Sequence, residues 1–295
     1  MNRSAVCAIF VTYHPDADFP ERLLSVSSQV GAVVIVDNGS TDAEVRMLRQ
    51  TTTDGAISLI LNPQNLGIAR ALNIGIERAV ALGYLWVLLL DQDSQVHDDL
   101  LDTLLAARES HPEKERVAVI GSGYRDIGRG PPDLHPQEAS DRLWDQVDWV
   151  ITSGSLLSLA AYSVIGPFRE EFFIDYVDIE YCIRARTNGY YVLNVRRSLM
   201  SHSIGAPTEH KLLWMKKRTT NHSADRRYYF ARNDTVMLRE YGNCKWRSWP
   251  IKSFMRSMRT CKRIVLYEQE KAGKIVAVFH GWWDGVHGNM GARRR

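Results

Sequence analysis

Short apolar runs alternate with helix-like segments through the first 90 residues of the chain. Continuous apolar runs bounded by polar residues are typical of strands buried on both faces of a parallel sheet. In the segment 69–82, apolar residues recur at helical spacing, and Gly83 stands where a C-cap glycine belongs. Repeated strand–helix units predict an α/β fold with a mostly parallel, Rossmann-like sheet flanked by helices. The predicted strands of this part lie at 5–12, 32–36, 57–61 and 85–90.

The pattern is less regular in the middle of the chain. Further strands are predicted at 117–120 and 191–195. The Gly- and Pro-rich segment 122–146 between them is predicted to be a mobile loop.

Another strand is predicted to begin at Trp149 and to run into small polar residues before a helix at Leu159. Small polar residues in this position suit contact with a sugar-sized ligand, but they suit a tight turn equally well. Trp149, Ser153 and Gly154 are therefore candidate sugar-contacting residues.

The composition indicates an ordinary globular protein. The chain has 295 residues, 45% hydrophobic and 24% charged, which leaves room for one large or two modest domains. The four cysteines form no C-x-x-C pair and are interpreted as free thiols of a reducing compartment. The apolar run near the start is too short for a signal peptide, and no stretch reaches the ~18 apolar residues of a membrane span. These features predict a cytoplasmic protein.

Charge is unevenly distributed along the chain. Residues 203–295 hold 20 Lys and Arg against 7 Asp and Glu, whereas residues 1–202 hold 17 against 27. Such asymmetry indicates two regions with different tasks. We predict one domain at 1–205 and a basic helical region at 206–295.

The basic region contains a predicted amphipathic helix. The segment 245–263 has seven Lys and Arg and no acid, with Trp246 and Trp249 at its start. This pattern is typical of a helix that lies on the anionic inner face of a membrane. Packing on the preceding domain with a solvated basic face is an alternative, and contact between copies of the chain is another. No base-stacking module for nucleic acid is visible.

Two carboxylates, Asp91 and Asp93, directly follow the apolar run at 85–90. Ligands of open α/β sheets bind at the carboxyl ends of strands, where paired carboxylates can share a divalent cation with phosphate oxygens. A solvated loop after a core strand would carry the same residues.

His202 follows another predicted strand and is a further metal-ligand candidate by residue type alone.

A second acidic cluster contains Asp175, Asp178 and Glu180. Carboxylates beside aromatic residues tend to have raised pKa values, which suits a general base. Acidic residues also favour a helix N-terminus because of the helix dipole, and the two interpretations are compatible.

Five motifs follow one another in a fixed order: VTYHP at 11–15, VDNGS at 36–40, N-x-G-x-A-x-A-x-N at 65–73, DQD at 91–93 and DIEY at 178–181 with Arg184. Together they resemble the family 2 glycosyltransferases, inverting enzymes of the GT-A fold. Within that family the chain is most similar to bacterial rhamnosyltransferases that use dTDP-L-rhamnose. The narrower similarity rests on LDQDS at 90–94, FFIDYVDIEYCIRA at 172–185, RYYFARN at 227–233 and HGWWDGVHGNMG at 280–291.

The resemblance implies a nucleotide site in the first part of the chain. Thr12 and Tyr13 would line the base pocket, with Tyr13 stacked on the pyrimidine. Asp37 would hydrogen-bond the base, and the loop at Asn65 and Gly67 would close over the nucleotide.

The resemblance also implies a metal site and a catalytic base. Asp91 would approach the ribose and the metal, Asp93 would ligate Mg²⁺ or Mn²⁺, and His202 would be a further ligand. Asp178 matches the family's base, with Glu180 as a rival, because the residue before Asp178 is Val where many members have Glu.

The implied reaction transfers L-rhamnose from dTDP-β-L-rhamnose to a hydroxyl of a cell-surface polysaccharide precursor carried on a polyprenyl lipid. Trp149, Ser153, Gly154 and Asp175 would contact the sugar or the acceptor. UDP-galactofuranose is the alternative donor, and a non-catalytic nucleotide- or membrane-binding module is the alternative class.

Two other enzyme classes are disfavoured by the residues after the first strand. A nucleotidyltransferase should have a Gly-rich basic loop there, and a hydride-transferring enzyme should have G-x-G-x-x-G. This chain has Thr12-Tyr13-His14-Pro15 instead.

Overall fold

In the computed structural model the chain forms two compact units. The first comprises Met1–Arg169 and Asp178–Ser203, and the second comprises Glu170–Val177 and Ile204–Arg295. The short segment 170–177 groups with the C-terminal region, and the predicted domain boundary at 205/206 stays a prediction. The structure describes residues 2–52, 55–126, 142–202, 208–212, 215–219, 221–242 and 249–293.

The first unit contains a mixed sheet whose strands follow the order β3-β2-β1-β4-β8-β6-β9-β5, with β7 beside β9. Its strands are β1 (Val6–Thr12), β2 (Ala32–Asp37), β3 (Ile57–Leu61), β4 (Trp86–Asp91), β5 (Gln95–Val96), β6 (Val117–Asp126), β7 (Trp144–Gln146), β8 (Ser155–Ser158) and β9 (Tyr191–His202). Its helices are α1 (Phe19–Ser27), α2 (Asp42–Thr51), α3 (Ile68–Ala81), α4 (Leu100–Glu109), α5 (Leu159–Ile165) and α6 (Val177–Thr187).

The first four strands are all parallel and are joined by α1, α2 and α3. Helix α2 starts with a capping box, in which the Thr41 side chain and the Glu44 side chain bond each other's backbone amides. Helix α3 is followed by Gly83 at a φ of 81°, in the left-handed region that favours glycine. The predicted α/β architecture is confirmed in this part of the chain.

The second half of the sheet departs from the predicted pattern. Trp149 and the residues that follow it form no strand but lead into a turn, and β8 begins only at Ser155. Strand β8 then runs antiparallel to both β4 and β6. The turn requires Gly154, which has a φ of 73° and no room for a Cβ beside Met200. The strand predicted to begin at Trp149 was therefore wrong, whereas the tight turn that was its alternative is present at Ser153 and Gly154.

The predicted loop at 122–146 is shorter than expected at both ends. Strand β6 continues to Asp126, and β7 occupies Trp144–Gln146. The residues 127–141 lie outside the described part of the chain.

The core of the first unit fixes the positions of its strand ends. Phe10, Ile35 and Leu88 of the three neighbouring parallel strands are fully buried together with Leu23 of α1 and Leu104 of α4. Each such side chain contributes about 1.5–3 kcal/mol by its burial. The carboxyl ends of the parallel strands are thus held side by side.

The second unit contains a hairpin as well as the predicted helices. Strands β10 (Thr208–Leu212) and β11 (Met215–Thr219) pair antiparallel. They are followed by α7 (Ala224–Tyr241), α8 (Trp249–Tyr267) and α9 (Lys271–His287). Across the described ranges, every helix is too short or too polar to cross a membrane.

Helices α7 and α9 pack closely because glycines line their contact. A Cβ at Gly285 would lie 2.7 Å from the Arg232 carbonyl oxygen, and one at Gly281 would meet the Tyr228 carbonyl oxygen. Glycine removes the side chain that would hold the two backbones apart. The pair forms the framework of the second unit.

Candidate active site

The carboxyl ends of β1, β2 and β4 lie next to one another at one edge of the sheet. In the parallel register Thr12 is beside Asp37, and Val11 is beside Asp91. Ligands of α/β sheets bind at this end of the strands. The fold therefore brings together three of the residues predicted to bind the nucleotide.

Asp37 is only 1% exposed and is hydrogen-bonded from all sides. Its Oδ1 accepts from the hydroxyls of Thr12 at 2.9 Å and Ser40 at 2.5 Å. Its Oδ2 accepts from the amides of Gly39 at 3.3 Å and Ser40 at 2.9 Å. An ionised carboxylate has about four lone-pair sites, and four protein donors use them. Asp37 thus holds the turn after β2.

Tyr13 presents its ring to solvent while its backbone is fixed. The Tyr13 amide donates to Gln92 Oε1 at 2.7 Å, and Gln92 Nε2 donates back to the Tyr13 carbonyl at 3.1 Å. The Tyr13 residue is 45% exposed, and its ring lies 4.2 Å from the His14 ring in a tilted contact. Arg22 Nε also donates to the Gln92 carbonyl, at 2.8 Å. Gln92 was missed by sequence reasoning, although it stands between the two predicted metal ligands.

The loop that contains Asn65 and Gly67 is held by Asn38, another residue that sequence reasoning missed. Asn38 Nδ2 donates to Asn65 Oδ1 at 3.0 Å and to the Gly67 carbonyl at 3.3 Å. Asn38 Oδ1 accepts from Asn62 Nδ2 at 3.1 Å and from the Leu66 amide at 3.0 Å. The predicted nucleotide loop is therefore anchored to the end of β2.

Asp91 and Asp93 are both half-buried at the end of β4. The Asp91 amide donates to Ser153 Oγ at 3.1 Å, and the hydroxyls of Ser153 and Ser94 lie 2.5 Å apart. Within the described part of the chain, three or more His, Cys, Asp or Glu side chains do not gather into a metal-binding group. Two carboxylates suit a Mg²⁺-type ion that is bound largely by substrate phosphates and water. The donor set fits such an ion.

His202 is the last residue of β9. The antiparallel register of β5 and β9 places Gln95 beside Ser201. The backbone of His202 is therefore next to the strand that follows Asp93. The His202 side chain lies outside the described part of the structure, and its metal contact stays a prediction.

The three candidate sugar-contacting residues near β8 differ in exposure. Ser153 and Gly154 are buried, and the Gly154 amide donates to the Leu89 carbonyl at 2.9 Å. Trp149 is exposed. The first two shape the turn beside Asp91, and Trp149 is the one that offers a ring to a ligand.

Asp178 and Glu180 lie in the first turn of α6 but have different surroundings. Asp178 is half-buried, and its Oδ1 accepts from the Ile179 amide at 2.8 Å. Glu180 is fully buried, and both of its oxygens accept from Arg184, at 2.9 and 3.0 Å. Arg184 also donates to the Ile165 carbonyl at 2.7 Å. Glu180 is thus part of a buried ion pair.

Asp175 belongs to the second unit, where it pairs with Arg226 at 3.2 Å. The two residues line a cavity of about 240 Å³ together with His222, Arg227 and Phe230. Burial raises the pKa of Asp175, and Arg226 opposes this effect. Burial and the neighbouring cations lower the pKa of His222 to about 4.

The parallel βαβ half of the sheet, with polar residues at three adjoining strand ends, defines an open α/β fold, in which ligands bind at the carboxyl ends of strands. A family model described as glycosyl transferase family 2 matches residues 7–157. The chain belongs to this family and is a glycosyltransferase, as the motifs predicted.

Two curated relatives support the enzyme class. The chain is 29% identical over 252 residues to dTDP-rhamnosyl transferase RfbF of Shigella flexneri, which covers 80% of this chain and 81% of the relative. It is 27% identical over 194 residues to the low-salt glycan biosynthesis hexosyltransferase Agl10 of Haloferax volcanii, which covers 60% of each chain.

Solved structures support the fold. The structure of S. aureus TarS residues 1–349 is similar at a TM-score of 0.63 and 15% identity, over 97% of this chain and 81% of that one. The structure of GalNAc-T7 with UDP, GalNAc and Mn²⁺ is similar at a TM-score of 0.61 and 14% identity, over 97% of this chain and 56% of that one. The predicted GT-A architecture is confirmed.

Proposed function

We propose that the chain transfers L-rhamnose from dTDP-β-L-rhamnose to a hydroxyl of a lipid-linked polysaccharide precursor, with inversion at the anomeric carbon. The observation that carries the proposal is the register of β1, β2 and β4, which gathers Thr12, Asp37 and Asp91 at one sheet edge. The choice of donor is supported by the 29% identity to a dTDP-rhamnosyl transferase.

In this proposal the nucleotide base stacks on the exposed ring of Tyr13. Gln92 keeps the Tyr13 backbone in place through two hydrogen bonds. Asp37 contributes mainly by holding the turn around the base pocket, since protein donors already use its lone pairs.

Asp91 and Asp93 would hold Mg²⁺ or Mn²⁺, with His202 as a further ligand. A divalent ion bound there would neutralise the charge that develops on the departing diphosphate. The two carboxylates of this chain bind and orient, and they take no proton in the transfer.

Asp178 is the proposed base. An inverting transfer needs one carboxylate to accept the proton of the attacking hydroxyl. Asp178 is partly exposed, whereas Glu180 is buried and occupied by Arg184. This contrast favours Asp178 over its rival.

Isothermal titration with dTDP and UDP, each with and without Mn²⁺, tests the donor site. We expect Mn²⁺-dependent binding that favours dTDP, followed by transfer from dTDP-rhamnose in the presence of a polyprenyl-linked glycan. Preference for UDP would contradict the rhamnose assignment and favour UDP-galactofuranose. Binding of neither nucleotide would contradict the catalytic proposal as a whole.

The second unit supports a membrane-bound acceptor. Helix α9 buries Ala277 and Val278, yet its opposite side is also apolar. Several exposed apolar residues on one helix face mark a surface that contacts a partner or a membrane. The outward residues of α9 are 50–65% exposed and comprise Val276, Phe279, Trp283 and Val286.

Helix α8 adds positive charge to an apolar surface. Met255, Met258 and Val265 are exposed, and the side chains of α8 from 255 to 266 include basic residues and no acid. Apolar residues mixed with Lys and Arg match an anionic lipid surface. We propose that these two outward faces bind the membrane that carries the acceptor.

Vesicle co-sedimentation tests this partner. We expect the protein to sediment with phosphatidylglycerol-containing vesicles and not with phosphatidylcholine alone, and the Phe279→Glu/Trp283→Glu variant to lose binding. Leu24→Glu, an equally exposed apolar position in the first unit, is the matched control. If the double variant still sediments but changes from dimer to monomer in light scattering, the face is a contact between copies.

A further inference from the structure

The segment Glu170–Val177 has an unusual backbone. Phe173, Asp175 and Tyr176 have φ values of 63°, 63° and 65°. Non-glycine residues rarely adopt this left-handed conformation. Strain of this kind persists only where surrounding contacts impose it, and it concentrates at functional sites.

Asn233 of α7 supplies the first of these contacts. Its side chain is fully buried, and Nδ2 donates to the carbonyls of Phe172, Ile174 and Asp175 at 3.0, 2.9 and 2.9 Å. A buried carbonyl in irregular structure needs such a partner. One amide group therefore serves three carbonyls of the strained segment.

Arg232 supplies the second set of contacts. Its Nη2 donates to the carbonyls of Glu171 and Phe172 at 2.9 and 3.0 Å, and its Nε donates to Asn233 Oδ1 at 2.9 Å. The guanidinium lies 5.0 Å from the Tyr229 ring centre. Burial lowers the pKa of Arg232, whose charge is shared among carbonyls and aromatic rings. Arg232 thereby also orients the Asn233 amide.

Asp234 is the third residue of α7 that holds the strained segment. The Tyr176 hydroxyl donates to Asp234 Oδ1 at 2.6 Å and accepts from Arg256 Nη1 at 2.6 Å. Three consecutive residues of α7, Arg232, Asn233 and Asp234, thus hold the segment from Glu171 to Tyr176. We call these three residues the clamp.

We propose that the clamp residues are positioning residues for the transfer reaction. The segment that they hold continues directly into α6, whose second residue is Asp178, and it carries Asp175 in the left-handed conformation. Fixing the backbone up to Tyr176 fixes the path by which the chain enters the first turn of α6. This inference rests on the proposed role of Asp178 as base.

The sequence carries a sign of this role. The stretch RYYFARN at 227–233 contributed to the family resemblance but received no task in the nucleotide site or at the base. Its last two residues are Arg232 and Asn233, which are fully buried polar side chains. Buried polar groups are maintained only with partners, and here the partners are the carbonyls of the strained segment.

The test compares Asn233→Ala with Val236→Ala. Val236 is a fully buried apolar residue of the same helix, and its truncation lowers stability while it removes none of the clamp's hydrogen bonds. We expect Asn233→Ala to lower kcat by about 10- to 100-fold, because small misplacements of reacting groups have effects of that size. The Kd for dTDP should stay within about twofold, since the hydrogen bonds that hold the segment 171–176 involve none of the residues proposed to bind the nucleotide. At an assay temperature where both variants are folded, Val236→Ala should keep its kcat.

A second variant and a second readout separate positioning from packing. Asn233→Asp keeps the side-chain shape but removes the donating amide, and we expect it to lose kcat as Asn233→Ala does. Hydrogen exchange of the amides from 171 to 176 should accelerate in both Asn233 variants and not in Val236→Ala.

Equal kcat in Asn233→Ala and Val236→Ala, or an unchanged kcat in Asn233→Asp, would overturn the inference. Asp178→Asn serves as the companion variant. If Asp178→Asn transfers normally, the proposed base is wrong. If it is inactive while Asn233→Ala is fully active, only the clamp inference is wrong.

Discussion

The sheet edge of the first unit and the clamped segment of the second unit are built in different ways. At the sheet edge, Asp37 takes three of its four hydrogen bonds from Gly39 and Ser40, within three residues. In the segment, the carbonyls of Phe172, Ile174 and Asp175 bond to Asn233, which is 58–61 residues away.

The difference follows from the backbone. A strand end is already held by the sheet, so a local turn suffices to satisfy its polar groups. An irregular segment lacks the hydrogen bonds between neighbouring strands, so its carbonyls need side-chain donors from other parts of the chain. We expect nucleotide binding to depend on the first kind of structure and proton transfer on the second.

The largest effect should come from Asp178→Asn, which follows the clamped segment. Removal of the proposed base should lower transfer on the order of 10²- to 10⁴-fold. Binding of dTDP should be unaffected, because the change leaves the sheet edge intact. Steady-state kinetics together with titration calorimetry measure both quantities. Loss of dTDP binding in this variant would contradict the expectation that the sheet edge serves nucleotide binding and the clamped segment serves proton transfer.

Glu180→Gln should act on stability instead. Glu180 is fully buried and Arg184 is mostly buried, so the change removes the buried carboxylate that balances the charge of Arg184. We expect a loss of about 3–5 kcal/mol in the free energy of unfolding, measured by urea denaturation. The folded fraction should still transfer sugar. A stable but inactive Glu180→Gln enzyme would move the role of base to Glu180.

Asp37→Asn tests the sheet edge. Its amide would face the Gly39 or Ser40 backbone donors, and we expect a loss of about 1.5–3 kcal/mol in folding stability, the value of a hydrogen bond to a charged group. Affinity for dTDP should fall because the turn shifts. Asp42→Asn, an exposed neighbour, should change stability by no more than about 0.5 kcal/mol. Unchanged stability of Asp37→Asn would contradict the assigned role in the turn.

The smallest effect concerns the cavity beside the clamped segment. The folded pKa of His222 is lowered to about 4, chiefly by burial and then by Arg226, from an ordinary value of 6.5. The unfolded chain therefore binds a proton between pH 6.5 and 4 that the folded chain does not, and stability falls as pH falls through this window. The raised pKa of Asp175 acts in the opposite direction.

His222→Asn should flatten this dependence. Melting temperatures from pH 7 to pH 4 should fall less steeply for the variant than for the wild type. The cations that act on His222 are Arg226, Arg227 and Lys274, and all of them stay charged throughout this range. Identical pH profiles for the two proteins would show that His222 is not buried as described.

The parallel half of the fold was predictable because its signals are local. Apolar runs, helical periodicity and the Gly83 cap are patterns of neighbouring residues, and they place β1 to β4 and α3. The same reasoning failed for the strand predicted to begin at Trp149, since an apolar stretch before small residues does not reveal that β8 starts later and runs antiparallel.

Part of the candidate site could likewise be predicted from the sequence. The carboxylates Asp91, Asp93 and Asp178 were visible by type and spacing. The residues that hold the site could not be predicted in this way. Gln92, Asn38 and Asn233 act through contacts with groups of other segments, which residue type and spacing do not show. Asn and Gln are common on surfaces, and residue type alone does not show which backbone groups their side chains bond.

The sequence by itself determined the α/β class, the order of the first strands and the family motifs, since these depend on periodicity and on residue type at short spacing. The tertiary structure alone decided that Asp37 is saturated by protein donors, that Glu180 is neutralised by Arg184, and that Asn233 holds the segment before Asp178. Burial and hydrogen-bond partners are properties of side chains brought together in space, and two chemically equivalent carboxylates differ only through them.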